Sequence, residues 1–334
     1  MKFATFRTSE AEGAVLAHTV HLSSGVLKKG RVLTDTDVAA LTDDGITAVM
    51  AARLGPEDVS EDEAARIIAD AICGAHVAST RPFTGRANLR AVPAGVAVID
   101  RERLIELNSL DEGLTVATVP PFQTVRAGQL VATVKIIPFA LSRSVVQTAE
   151  DLLLKSSRLV SVAPFAARTA GLIITRVPGM KESLLAKRAK VIRERLEDMG
   201  SNLGLHEVVT HETSVVCEAM KRHAAAGHDP ILVFGASAIV DRGDVIPQAV
   251  INAGGEVVHL GMPVDPGNLL LVGRLGDADV IGVPSCASSP KLNGFDWVLA
   301  RRLAGLPVGR AEIVAMAPGG LLMEIPTRPQ PRGG

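Results

Sequence analysis

Residues 229–249 read DPILVFGASAIVDRGDVIPQA. The apolar run Ile231 to Phe234, bounded by Pro230 and Gly235, predicts a short buried strand. It passes directly into Gly235, Ala236 and Ser237, small residues that let backbone amides come close to an anion. Asp241 and Asp244 then stand where a helix begins, with Pro247 in its first turn. Two readings fit this segment. It is an anion-binding turn with a carboxylate at hand, or it is a strand-to-helix connection capped by an aspartate.

The same grammar extends in both directions. Upstream, GLIITRV (171–177) predicts a buried strand, residues 182–200 a long helix stopped by Gly200, LGLHEVVTH (203–211) a strand and residues 212–227 a helix. Downstream come a helix over 244–255, the strand and loop EVVHLGMPVDPG (256–267), the strand and turn ADVIGVPSCASSP (278–290) and a closing helix over 294–305. Strand–helix alternation predicts an α/β domain with a mostly parallel sheet and helices on both faces, a three-layer α/β/α arrangement. Such sheets bind ligands outside the carboxyl ends of their strands. Three small, polar turns follow three of these strands: Gly235–Ser237, the loop holding Asp265, Pro266, Gly267 and Asn268, and the turn holding Ser285, Cys286, Ser288, Ser289 and Lys291. Singly, each reads as well as a connector; on one sheet edge they would make a site.

The first half reads as mixed, β-rich α+β. AVLAHTVHL (14–22) and TAVMAAR (47–53) predict strands, with a short helix over 36–42 between them and Gly45 as its stop. Ser60 and Glu63 have capping-box spacing ahead of a helix that runs to Cys73. Residues 82–94 read as loop or edge strand, and Arg81, Arg86 and Arg90, in the stretch 80–90, as solvated, or else facing a phosphate. Residues 96–110 predict a strand and a helix, 114–141 a β-rich stretch with a turn at Gly128, and 142–154 a helix. A linker at 161–169 divides the chain into 1–165, as one region or as modules 1–55 and 56–165, and 166–334. The Pro- and Gly-rich tail 324–334 is expected to be mobile.

Composition narrows the function classes. The 334 residues are 47% hydrophobic and 21% charged with a net charge of −1, so no global basic field exists to hold nucleic acid. Aromatic residues make up 3% with no Tyr, which argues against base-stacking platforms. No apolar run reaches membrane-spanning length and the first residues lack a signal core, so a cytoplasmic protein is expected. The three cysteines are far apart, without metal-ligand spacing. His18 and His21 sit on opposite faces of a strand, and His206 and His211 read as surface residues.

The run from about Gly171 to Gly305 resembles the molybdopterin-binding domain shared by molybdopterin adenylyltransferases and molybdopterin molybdenumtransferases. In that family a strand leads to a T-G-G-x-(S/G) turn, an Asp, and D-V-T-P-E-A at the helix start. Here Gly235 and Ala236 fall on the glycine pair, Asp241 on the acidic position and residues 244–249, DVIPQA, on the helix start. GMPVDPGN resembles the family's P-x-x-P-G segment, and GVPSCASSP stands in place of its G-L-P-G-N-P turn. The chain departs at Ala236, at Phe234 where a hydroxyl residue is usual, at Cys286, and in the loop after the first strand, where Arg176 and Lys181 replace an acidic motif. Residues 12–49 resemble only faintly what precedes this fold in molybdenumtransferases.

The resemblance implies molybdopterin or the molybdenum cofactor as ligand, held by Gly235, Ala236, Ser237, Asp265, Pro266, Gly267, Asn268, Ser285, Cys286, Ser288, Ser289 and Lys291. It implies Asp241 and Asp244 as catalytic residues, with Asp241 on Mg2+. A transferase of this kind would perform nucleotidyl transfer with ATP or CTP, or molybdenum insertion, as a homodimer or homotrimer. The non-enzymatic alternative is a cofactor carrier, or a partner of a molybdenum-cofactor nucleotidyltransferase or molybdoenzyme. Neither reading involves nucleic acid or a membrane.

Overall fold

The computed structural model describes residues 1–154 and 157–323 and divides the chain into two compact units, Met1–Ala163 and Pro164–Gly334. The tail 324–334, expected to be mobile, lies outside the described residues. Helices and strands are mixed throughout.

In the first unit, Lys2–Arg7, Ala48–Arg53 and Val15–Leu16 form an antiparallel sheet. The helix Asp35–Asp43 accompanies it, with Thr34 and Asp37 capping its start reciprocally. The stretch 14–22 is two strands, Val15–Leu16 and Val20–Leu22, rather than one. One apolar cluster draws on Phe6 to Ala51, and a second on Val59 to Val162. The second core lies under a four-stranded sheet in the order Leu114–Thr118, Leu130–Ile136, Arg86–Ala91, Val77–Ser79. Arg86–Ala91 is therefore an interior strand, not the loop or edge expected of 82–94: Ala87, Leu89 and Ala91 are buried on one face while Arg86 and Arg90 on the other are exposed. Ser60 begins the helix Glu61–Ile72 without a side-chain capping bond, so the capping box expected there is not formed. The first part of the expected linker is the strand Val160–Pro164, beside Gly95–Ile99.

In the second unit, numbered from its own start, the elements are β1 Thr169–Arg176, α1 Glu182–Asp198, β2 Asn202–Thr210, α2 Thr213–Ala225, β3 Ile231–Phe234, α3 Val245–Asn252, β4 Glu256–Leu260, β5 Leu271–Leu275, β6 Ala278–Val283, α4 Gly294–Leu303 and α5 Arg310–Val314. They give one six-stranded sheet in the order β2-β1-β3-β6-β5-β4. β1, β2, β3 and β6 pair in parallel, and β5 runs antiparallel to both its neighbours. β5 is the element the sequence reading passed over, with 268–277 left unassigned.

Alternate residues of β1 enter different cores, as strand geometry requires. Leu172 and Ile174 join Leu185, Ile192 and Leu196 of α1 and Phe295 and Leu299 of α4. Ile173 joins Val216 and Met220 of α2 and Ile246 and Val250 of α3. With β5 reversed, β1, β2, β3, β4 and β6 end at one edge of the sheet, and the loops that follow them lie there.

Candidate functional site at the carboxyl edge of the sheet

Three loops at this edge carry the residues expected to bind ligand. The first follows β3. Ala236 N–H donates to the Thr175 hydroxyl at the end of β1 (2.7 Å). Thr175 Oγ1 is 2.8 Å from His211 Nδ1, and His211 Nε2 is 3.1 Å from Ser237 Oγ. Thr175 is fully buried while Ser237 is exposed. The turn is thus tied to two neighbouring strands by a hydroxyl–imidazole–hydroxyl chain.

Beneath it lies Arg188 of α1. Its guanidinium stacks on the Phe234 ring at 4.3 Å and donates to Gly235 O (3.2 Å). The residue is 5% exposed, and its Nε is buried without a hydrogen-bond partner. No carboxylate among the described residues forms an ion pair with it, and burial pushes its guanidinium below the ordinary value. A buried cation without a counter-charge is costly.

Asp241 and Asp244, expected to be catalytic, are engaged with the backbone. Asp241 accepts from Gly243 N–H (2.7 Å). Asp244 caps α3, accepting from Val245 N–H (2.8 Å) and Val240 N–H (3.3 Å). No group of three or more Asp, Glu, His or Cys side chains able to hold a metal occurs among the described residues. No metal site is shown at Asp241 among the described residues.

The second loop, after β4, is shaped by packing. Pro266 and Gly267 are buried, Asp265 half-buried and Asn268 exposed, its amide directed at Met262 O (3.4 Å). Gly267 has φ +141° and lies so close to Gly294 that a Cβ would meet its backbone nitrogen at 2.7 Å. Gly294 N–H in turn donates to Pro266 O (2.8 Å), joining this loop to the end of the third.

The third loop follows β6 and is held by Arg195 of α1. Its guanidinium donates to Ala287 O (3.0 Å), Ser289 O (2.7 Å) and Lys291 O (3.3 Å), and pairs with Asp296. Ser285 and Lys291 are exposed; Cys286, Ser288 and Ser289 are half-buried, and burial pushes the Cys286 thiol up. Ser288 donates to Ser285 O (2.8 Å). Of the two basic residues in the divergent loop after β1, Arg176 is engaged with Glu182 (3.0 Å) and Lys181 is exposed at the start of α1.

Sequence reasoning did not single out Arg188, Arg195 or Thr175, and set His211 aside as a surface residue. The arginines carried a readable signal: both fall on the stripe of α1 that also holds Leu185, Ala189, Ile192 and Leu196. An arginine on a buried stripe needs a partner.

A cavity of about 690 Å3 in this unit lies at the opposite, amino edge, among Arg168, Asp229, Arg274, Asp279 and Arg302. None of the expected ligand-binding residues lines it. Its arginines are paired, Arg168 with Asp229 and both Arg302 and Arg274 with Asp279, so it lacks the unmatched cation of the carboxyl edge.

The family model described as Domain of unknown function (DUF8806) matches residues 5–53. No curated protein sequence matches the chain. Among solved structures, the chain is similar to the molybdopterin biosynthesis moea protein from Pyrococcus horikosii, with 11% identity over 91% of this chain and 75% of that one and a TM-score of 0.32. It is similar to a structure of MogA at 20% identity over 40% of this chain and 92% of that one, with a TM-score of 0.29. A molybdenum cofactor biosynthesis protein from Pyrococcus furiosus follows at 13% identity, 92% and 66% coverage and a TM-score of 0.24. At these scores and identities the likeness establishes neither a shared fold nor an activity.

Proposed function

We propose that the second unit is a three-layer α/β/α molybdopterin-binding domain, and that the chain, a cytoplasmic homo-oligomer in this reading, acts in the synthesis or handling of the molybdenum cofactor. The observation that carries the ligand's charge is Arg188, a buried guanidinium without a counter-ion beneath the turn Gly235–Ser237. The motif spacing from Phe234 to Ala249 supports the pterin identity. The ligand's anionic group meets the first turn, and the loops at Asp265–Asn268 and Ser285–Lys291 border the rest of it.

Between a transferase and a carrier, the carboxylates favour the carrier. Asp241 and Asp244 are both bonded to backbone amides, and no metal cluster stands beside them among the described residues. A carrier needs the anion site and the loops but no divalent ion fixed by the protein.

The test is a titration of the full chain with molybdopterin, followed by pterin fluorescence. Saturable binding near one per chain is expected. Arg188→Leu should weaken it about tenfold or more, as loss of a charge-assisted hydrogen bond does, while leaving the melting temperature unchanged or higher, because an uncompensated buried charge is removed. No saturable binding would overturn the reading. Pyrophosphate release from ATP or CTP in the presence of the pterin would restore the transferase.

A further inference from the structure

We propose that Thr175 and His211 are positioning residues that fix the exposed Ser237 hydroxyl as a hydrogen-bond donor, so that the first turn receives an acceptor, a phosphate oxygen of the ligand. The phosphate identity rests on the molybdopterin reading; the direction of the hydrogen-bond chain does not.

The argument follows the hydrogens. Parallel pairing sets Thr175 opposite Val209 and Arg176 opposite Thr210, and His211 N–H donates to Arg176 O (3.0 Å), which fixes the imidazole beside Thr175. The Thr175 oxygen accepts Ala236 N–H (2.7 Å). Its own hydrogen, fully buried, requires an acceptor, because an unsatisfied buried donor is costly. His211 Nδ1, at 2.8 Å, is that acceptor. A neutral imidazole carries one N–H, so the hydrogen sits on Nε2 and donates to Ser237 Oγ (3.1 Å). Ser237 thereby accepts from His211 on one lone pair and has its own hydrogen left for a ligand.

Two consequences follow. The position offers a directed hydrogen to a ligand acceptor such as an oxyanion. In this tautomer His211 cannot take the Ser237 proton, so Ser237 is a binding group and not a nucleophile. The opposite tautomer would strand the buried Thr175 hydrogen.

The experiment is a long-range 1H–15N correlation spectrum of the full, 15N-labelled chain without ligand in mildly alkaline buffer, with His211 assigned by its loss in His211→Ala. Hydrogen on Nε2 and a bare Nδ1 are expected. In parallel, inorganic pyrophosphate is titrated. Thr175→Val, close in shape but lacking the hydroxyl, should mix the tautomers and weaken pyrophosphate about tenfold, the worth of one hydrogen bond to a charged group; Thr175→Ser should restore both. Ser237→Ala should weaken binding by a similar factor without changing the tautomer. Hydrogen on Nδ1 in the wild type, wild-type affinity in Thr175→Val, or labelling of Ser237 by a fluorophosphonate would each overturn the proposal. Absence of pyrophosphate binding by the wild type would overturn the phosphate class. Pterin fluorescence on the same sample would show whether the molybdopterin reading fails with it.

Discussion

Gly171 of β1 lies directly against the His223 ring of α2, in the space that a Cβ at position 171 would need. Both are buried, His223 completely, and β1 is flanked by β2 and β3. The ring has no room to withdraw without disturbing the core on that face of the sheet. Gly171→Ala should therefore destabilise the unit by about 2–3 kcal/mol, the upper part of the usual overpacking range. A denaturant midpoint equal to that of the wild type would show that α2 can shift to accept the methyl group.

His223 also makes stability depend on pH. Burial pushes its imidazole down to about 4, against an opposing pull from Glu207, whose carboxylate is 3.2 Å from Nε2, and with a smaller push from His228. The unfolded chain binds this proton with the ordinary histidine value of about 6.5. Between those values the unfolded state holds more protons, so stability rises with pH from about 4 to about 6.5 and is level above. The contribution of this one group is about 3 kcal/mol at most. Urea unfolding across that range should show a steeper pH dependence in the wild type than in His223→Leu, and parallel curves would remove His223 as the cause.

Arg195 should be a structural pillar of the third loop. Replacing it by Met would leave Asp296 and three carbonyls without their donor at a site 8% exposed. Breaking such a buried pair costs about 3–5 kcal/mol. Arg195→Lys should recover only part, since an ammonium cannot span the same fork of acceptors. Thermal melts together with amide exchange across 285–296 provide the check; unaltered exchange there in Arg195→Met would mean the loop is held by other contacts.

These residues also mark how far the sequence could be read. The strand–helix alternation of the second unit was legible because its central strands are continuous apolar runs buried on both faces, Ile231 to Phe234 above all. β5 was not, because Leu269 to Leu275 follows a Gly/Pro loop closely and joins β6 through a tight turn at Gly276, so no helix separates it from its neighbours. The turn Gly235–Ser237 was legible from its composition. The Thr175–His211–Ser237 chain was not: its members are separated by 36 and 26 positions and meet only through the pairing of β1 with β2 and β3. Asp241 and Asp244 were legible as acidic residues before a helix, but spacing alone left both capping and catalysis open.

Asp244 offers the way to separate those two. Its side chain accepts the Val245 and Val240 amides at the start of α3, a role an amide oxygen also fills. Asp244→Asn should keep stability within a few tenths of a kcal/mol, whereas Asp244→Ala should cost about 1 kcal/mol by loss of the cap. If Asp244 only caps the helix and the proposed pterin binding holds, Asn will also retain the wild-type affinity, and Ala will lose affinity only as far as the turn loosens. A folded Asp244→Asn protein that binds pterin much more weakly would instead show that the carboxylate charge itself is used, and would return Asp244 to a catalytic or ligand-binding role. The pair of melts and the pair of pterin titrations decide it together, since a cap and a ligand contact respond differently to the amide.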